Sequence, residues 1–139
     1  MRFVDTNILL YSLSTDPSEV RKRSQADAIL VSPDLGLSVQ VLQEFYVQTT
    51  RERPGAALLT REQAVEYVTA LTRFPVQQTT VELVHAAMAS QARYQISYWD
   101  AAIIEAARML GCEEVLSEDL SHGQDYDGVR VTNPFRNLL

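Results

Sequence analysis

The chain has 139 residues, 46% of them apolar, and a formal charge of −6. That length and composition suit a single globular domain over residues 1–139 with a substantial hydrophobic core, and argue against a disordered or fibrous chain. The longest apolar run, Ile8 to Leu13, is far short of the roughly 20 residues that cross a bilayer. Asp5 stands where a signal peptide would be apolar, so a cytoplasmic protein with no membrane partner is expected.

Arg2 to Asp5 reads as a short buried strand ending in an acid, and Asn7 to Leu13 as the helix that follows. Asp16-Pro17-Ser18-Glu19 has the form of a helix start, leading a segment to about Leu30 that Pro33 stops. A second strand, Leu35 to Ser38, precedes a helix from about Val39 to Arg53, ended by Pro54-Gly55. Thr60-Arg61-Glu62-Gln63 matches a capping box and opens a helix to about Arg73.

Pro75 to Gln78 reads as a strand and Thr80 to Tyr94 as a helix, and Ser97 caps another helix that runs to Leu110 before Gly111. Glu114 to Ser117 and Val129 to Thr132 complete the strands, joined by a polar loop. Short apolar strands alternating with helices predict an α/β domain whose parallel sheet is covered on both faces.

In such a domain ligands bind beyond the carboxyl ends of the strands. Asp5 and Asp119 fall at or just after strand ends, Asp100 in the first turn of its helix, and Glu44 two turns into the helix after the second strand. Each has a local role open to it. Asp5 suits a helix cap, Asp100 a first-turn acid favoured by the helix dipole, and Asp119 a turn. Glu44 lies beside Val41 and Phe45 on an apolar face, where an unpaired charge is expensive. As a set, four carboxylates that converge require a cation, and hard oxygen donors point to a divalent one.

The single cysteine, Cys112, permits neither an intramolecular disulfide nor a thiolate metal site, and a buried position is expected for it. The acidic balance opposes a polyanionic partner. Two bound divalent cations would nevertheless reduce the charge to about −2 and make the site attractive to phosphate. Eleven of the twelve basic residues are Arg, the exception being Lys22. Arg grips phosphate and stacks on bases better than Lys, although genomic base composition explains the same bias.

The segments FVDTN, SVQVLQEFY, SYWDAAI and VLSEDL, in this order and in these contexts, resemble the PIN-domain family of nucleases over nearly the whole chain. Within it the chain looks most like the toxins of VapBC-type toxin–antitoxin pairs. The resemblance implies a three-layer α/β/α fold with a mostly parallel sheet of about five short strands. It also implies Mg²⁺- or Mn²⁺-dependent endoribonuclease activity, with Asp5, Glu44, Asp100 and Asp119 as catalytic metal ligands. Thr6, Asn7, Ser38 and Ser117 are the hydroxyl and amide neighbours expected to orient them. Glu118 is an extra acid beside Asp119, which is taken as the inward one. RNA as substrate, an antitoxin partner and a homodimer are implied likewise, and the apolar row from Ile8 to Leu13, with Phe45, Tyr46, Leu58 and Leu59, offers candidates for subunit pairing.

The rival readings are a metal-dependent phosphatase and a catalytically silent PIN domain that binds RNA or protein. Asn7, where a common phosphatase pattern has a second Asp, counts against the first. His85 and His122 read as surface residues, and Arg21-Lys22-Arg23 as a solvated face. Trp99 and Tyr98 flank Asp100; base stacking is open to them, with core packing the expected place for Trp99.

Overall fold

A computed structural model describes residues 1–138. Five strands, β1 (Arg2–Val4), β2 (Leu35–Ser38), β3 (Val76–Gln77), β4 (Glu114–Leu116) and β5 (Arg130–Thr132), form one sheet in the order β3-β2-β1-β4-β5. All four pairings are parallel, so the sheet is wholly rather than mostly parallel. Its middle strands carry Phe3, Val4, Leu35, Leu37, Val115 and Leu116, all nearly inaccessible to solvent. Strands covered on both faces need such continuous apolar runs.

Helices α1 (Thr6–Ser12) and α2 (Val20–Leu30) connect β1 to β2, and α3 (Val39–Thr50) and α4 (Arg61–Leu71) connect β2 to β3. Helices α5 (Val81–Tyr94) and α6 (Tyr98–Met109) carry the chain back across the sheet to β4. Because parallel crossovers are right-handed, two outward connections and one return connection place α1 to α4 on one face and α5 and α6 on the other. The packing agrees: α1 meets α2 and α3, α3 meets α4, and α5 lies on α6, which also touches β2, β3 and β4. The result is the expected three layers.

Local chemistry sets the helix ends. Thr60 and Gln63 make the expected capping box, and Ser38, Thr80 and Ser97 each accept a backbone N–H in the first turn of their helices. Two boundaries differ from the sequence pattern. Asp16 caps a short 3-10 turn, Pro17–Glu19, before α2 proper begins at Val20. Helix α3 stops at Thr50 instead of Arg53, because Arg51 turns extended and the returning Leu59 N–H takes the Thr49 carbonyl. Pro54 then keeps Arg53 out of helical geometry.

The connection from β4 to β5 contains no helix and is held from outside. Arg108 on α6 donates to the carbonyls of Tyr126 (2.6 Å) and Asp127 (2.8 Å) while its Nε pairs with Glu105 at 3.0 Å. Glu105 is buried and also accepts from Ser90 Oγ at 2.7 Å. Removing the guanidinium would strand a buried carboxylate and two carbonyls. Arg108→Met is therefore expected to cost about 3 kcal/mol, read by urea unfolding, and to increase amide exchange in residues 121–128.

Candidate functional site

The order β2-β1-β4 makes β1 the strand on which the sheet reverses direction. A crevice opens at the carboxyl ends of the two strands flanking such a reversal. Asp5 directly follows β1, and Ser117, Glu118 and Asp119 follow β4. The Asp5 N–H donates to the Leu116 carbonyl at 3.0 Å, which ties the two strand ends together.

Asp5 caps α1 and faces the site with the same side chain. Its Oδ1 accepts from Thr6 N at 2.8 Å and its Oδ2 from Ser117 Oγ at 2.7 Å. Asn7 joins the two strand ends: its amide nitrogen donates to Asp119 Oδ2 (3.2 Å), Ser117 Oγ (3.3 Å) and, more weakly, Asp5 Oδ2 (3.5 Å). Its carbonyl oxygen accepts from Glu118 N at 3.2 Å. A carboxylate at position 7 would lose every one of these donated bonds and add a like charge.

Glu44 reaches the cluster from α3. Its Oε2 accepts from Thr6 Oγ1 at 2.7 Å and its Oε1 from Gln40 Nε2 at 2.9 Å. Asp100 stands in the first turn of α6 directly after Trp99, whose carbonyl accepts from the Gln40 amide that also serves Glu44. Thr6 and Asn7 thus link Asp5, Glu44 and Asp119, with Asp100 approaching from α6. Thr6, Asn7 and Ser117 contact them directly, whereas Ser38 stands apart, its hydroxyl capping α3 at Val41 N.

Repulsion and burial leave their mark on the acids. Burial, above all, pushes the Asp5 carboxyl from 3.8 up to about 6; Ser117 and Thr6 oppose this, and Glu44 and Asp119 add to it. Burial also raises Asp100, against a hydrogen bond from Ser97 and with help from Asp119 and Glu44. Among the described residues, no three His, Cys, Asp or Glu side chains are gathered into a set that could hold a metal ion. The carboxylates are neighbours kept apart by neutral donors. Their chemistry still fits a hard divalent cation, being all oxygen with no nitrogen or sulfur, and Asp5 is buried with like charges around it.

Glu118 and Asp119 point to different partners. Glu118 pairs with Lys22 at 2.7 Å and accepts from Tyr11 OH at 2.6 Å. Burial alone would raise its pKa, but these two partners outweigh that and leave it lowered. Asp119 instead takes the Asn7 amide, beside Asp5. Tyr11, Lys22 and Gln40 did not stand out in the sequence as site residues. The signals were the i,i+4 spacings of Asn7 with Tyr11 and of Gln40 with Glu44, which put each pair on one helix face.

A groove of about 720 Å³ runs from Asn7 and Asp119 past Tyr11 and Glu118 to Arg53 and Leu58. Trp99 departs from the expected core position: its indole is 64% exposed. His85 and His122 are on the surface, the latter accepting Asn133 N at 3.0 Å. Cys112 is buried.

The raised Asp5 pKa has a stability consequence of definite sign. A carboxyl whose folded pKa exceeds its unfolded value favours the fold fully below about pH 4, and that contribution is lost as pH rises through about 6. Two units correspond to about 3 kcal/mol. In EDTA, Asp5→Asn should flatten the fall in melting temperature between pH 4 and 7 and should melt above the parent at pH 8. A variant with an unchanged pH profile would refute the buried-charge account.

The PIN domain family model matches residues 2–123. No curated protein matches the sequence. In fold, the chain is similar to a toxin–antitoxin complex from Klebsiella pneumoniae (TM-score 0.68, 20% identity, 96% of this chain and 98% of that one). It is also similar to VapC20 of Mycobacterium tuberculosis, described as a sarcin-ricin-loop-cleaving toxin (TM-score 0.65, 20% identity, 86% and 90%). A third likeness is to FitAcB from Neisseria gonorrhoeae (TM-score 0.67, 19% identity, 98% and 99%). With a family match over most of its length and the carboxylates assembled where β1 and β4 end, the chain belongs to the PIN domain family.

Proposed function

We propose that this protein is a metal-dependent endoribonuclease and the toxin of a toxin–antitoxin pair. The observation that carries this reading is the convergence of Asp5 and Asp119 on the Asn7 amide at the crevice between β1 and β4, with Glu44 and Asp100 facing them. Asp5 and Asp100, completed by Asp119 and Glu44, would hold Mg²⁺ or Mn²⁺, which would supply Lewis acidity and charge stabilisation for in-line displacement at phosphorus.

The chain's own residues orient the acids. Ser117 and the Thr6 N–H fix Asp5, Asn7 fixes Asp119, and the Thr6 hydroxyl with Gln40 fixes Glu44. Glu44 is placed to orient the attacking water, or to share in holding a second ion. No covalent enzyme intermediate is needed. The amide at Asn7 disfavours the phosphatase alternative, because its donated bonds hold the site together.

The antitoxin is supported by relatives solved as toxin–antitoxin complexes. The surface offers it a groove of about 610 Å³ between α2 and α4, with Leu30, Val31, Tyr67 and Phe74 along it, which suits an amphipathic helix. Self-association is supported by the apolar face of α3 and α4, where Val47 and Val65 are exposed beside Tyr46 and Val68. Leu58 and Leu59 are half-buried, and Leu59 packs on the core. No helix among the described residues is long and apolar enough to cross a membrane, and action in the cytoplasm is part of the same proposal.

Purified protein is expected to cut RNA with added Mg²⁺ or Mn²⁺ and to stop in EDTA. Asp5→Asn and Asp100→Asn should lower the rate by more than about 100-fold while retaining the parent's circular dichroism. An equally active Asp100→Asn would sink the mechanism. The two adjacent acids should separate cleanly: Asp119→Asn loses about 30-fold or more, and Glu118→Gln less than about threefold.

A further inference from the structure

Trp99 is the most exposed aromatic residue among the described residues, and its backbone adjoins the acid cluster. The Tyr98 ring packs edge-on against the indole, with centroids 5.1 Å apart and planes at 84°. The Gln40 amide that donates to Glu44 at 2.9 Å also donates to the Trp99 carbonyl at 3.4 Å. Asp100 is the next residue, in the same first turn of α6. The backbone that carries this solvent-exposed indole is thus tied to the surroundings of acids on two helices.

The charge of the protein makes that placement meaningful. At −6 overall the molecule repels an RNA strand at long range; Lys22, Arg93, Arg108 and Arg130 are held in ion pairs, which leaves other arginines, such as Arg53 in the groove, to meet phosphates. Stacking on an aromatic face needs no positive charge and accepts any base, since each has a π-face. In a duplex those faces are covered; in loops, bulges and single strands they are free.

We propose that Trp99 is the stacking platform for the base beside the phosphate presented to Asp5, Asp100 and Asp119. This inference rests on the ribonuclease reading above. The platform contributes chiefly to holding the strand, and the acids to the chemistry.

Trp99 is the only tryptophan, so emission excited beyond the absorption of the six tyrosines reports on it alone. The intact protein is titrated with a 5′-labelled single-stranded RNA dodecamer of mixed sequence and with an abasic strand of equal length. Both titrations are in Ca²⁺, which neutralises carboxylates but has a loose ligand shell, and label polarisation is followed alongside emission. The expected result is saturable quenching that tracks polarisation for the dodecamer and is absent with the abasic strand. In Mg²⁺ or Mn²⁺, Trp99→Ala should raise KM about tenfold with kcat within about threefold, and Trp99→Phe should retain most of the affinity.

Polarisation without any change in emission would overturn the stacking platform and leave the ribonuclease reading standing, as would a Trp99→Ala variant with parental KM. Emission that shifts on dilution of the protein alone, and not with RNA, would assign Trp99 to a subunit contact instead. Absence of both binding and cleavage would remove the ribonuclease reading, and the platform with it.

Discussion

Burial of carboxylates around the ends of β1 and β4, with like charges beside them, is the constraint around which this molecule is organised. Asp5 is buried with Glu44 and Asp119 close enough to make ionisation harder, and Asp100 meets the same two acids from α6. Nothing positive among the described residues relieves the strain at Asp5. Neutral donors do so in part: Thr6, Asn7 and Ser117 turn N–H and O–H groups toward the carboxylates, which tolerate proximity only with such support. The same acids that make the site costly to fold are the oxygen donors that the proposed divalent cation would use.

The site uses parts that a helix needs in any case. An N-cap requires an oxygen acceptor at the end of a strand-to-helix turn, and Asp5 meets that need for α1 while leaving its second oxygen toward the crevice. Ser97 caps α6 and so fixes the turn in which Asp100 and Trp99 sit. The fold holds the remaining side by a different device. Between β4 and β5 there is no helix to brace the chain, and the Arg108 guanidinium, anchored on buried Glu105, grips two carbonyls of that loop.

Charge sorting within the loop decides what the crevice contains. Glu118 and Asp119 are neighbours of equal charge, but Lys22 and Tyr11 draw Glu118 to the side of α1 and α2. Asp119 is left to Asn7. The only lysine therefore acts as a counterweight that keeps an additional acid from the cluster, and its ammonium also lies 4.7 Å from the Tyr11 ring centre. The groove leaving the crevice passes over this ion pair, so what binds there meets a surface of mixed rather than uniformly negative charge.

The chain order of strands and helices, the capping box at Thr60 and the cap at Ser97 were legible in the sequence, because each depends on residues within one or two turns of one another. The strand order, with its reversal at β1, was given only by the assembled sheet. Contacts between distant segments decided the rest. The end of α3 depended on Leu59 returning to Thr49, the division between Glu118 and Asp119 on Lys22 nearly a hundred residues away, and the exposure of Trp99 on α6 presenting its alanines and isoleucines inward instead. Periodicity reports which face of a helix is apolar; only the assembled layers determine which face has a neighbour, and therefore which side chains are left in solvent at the crevice.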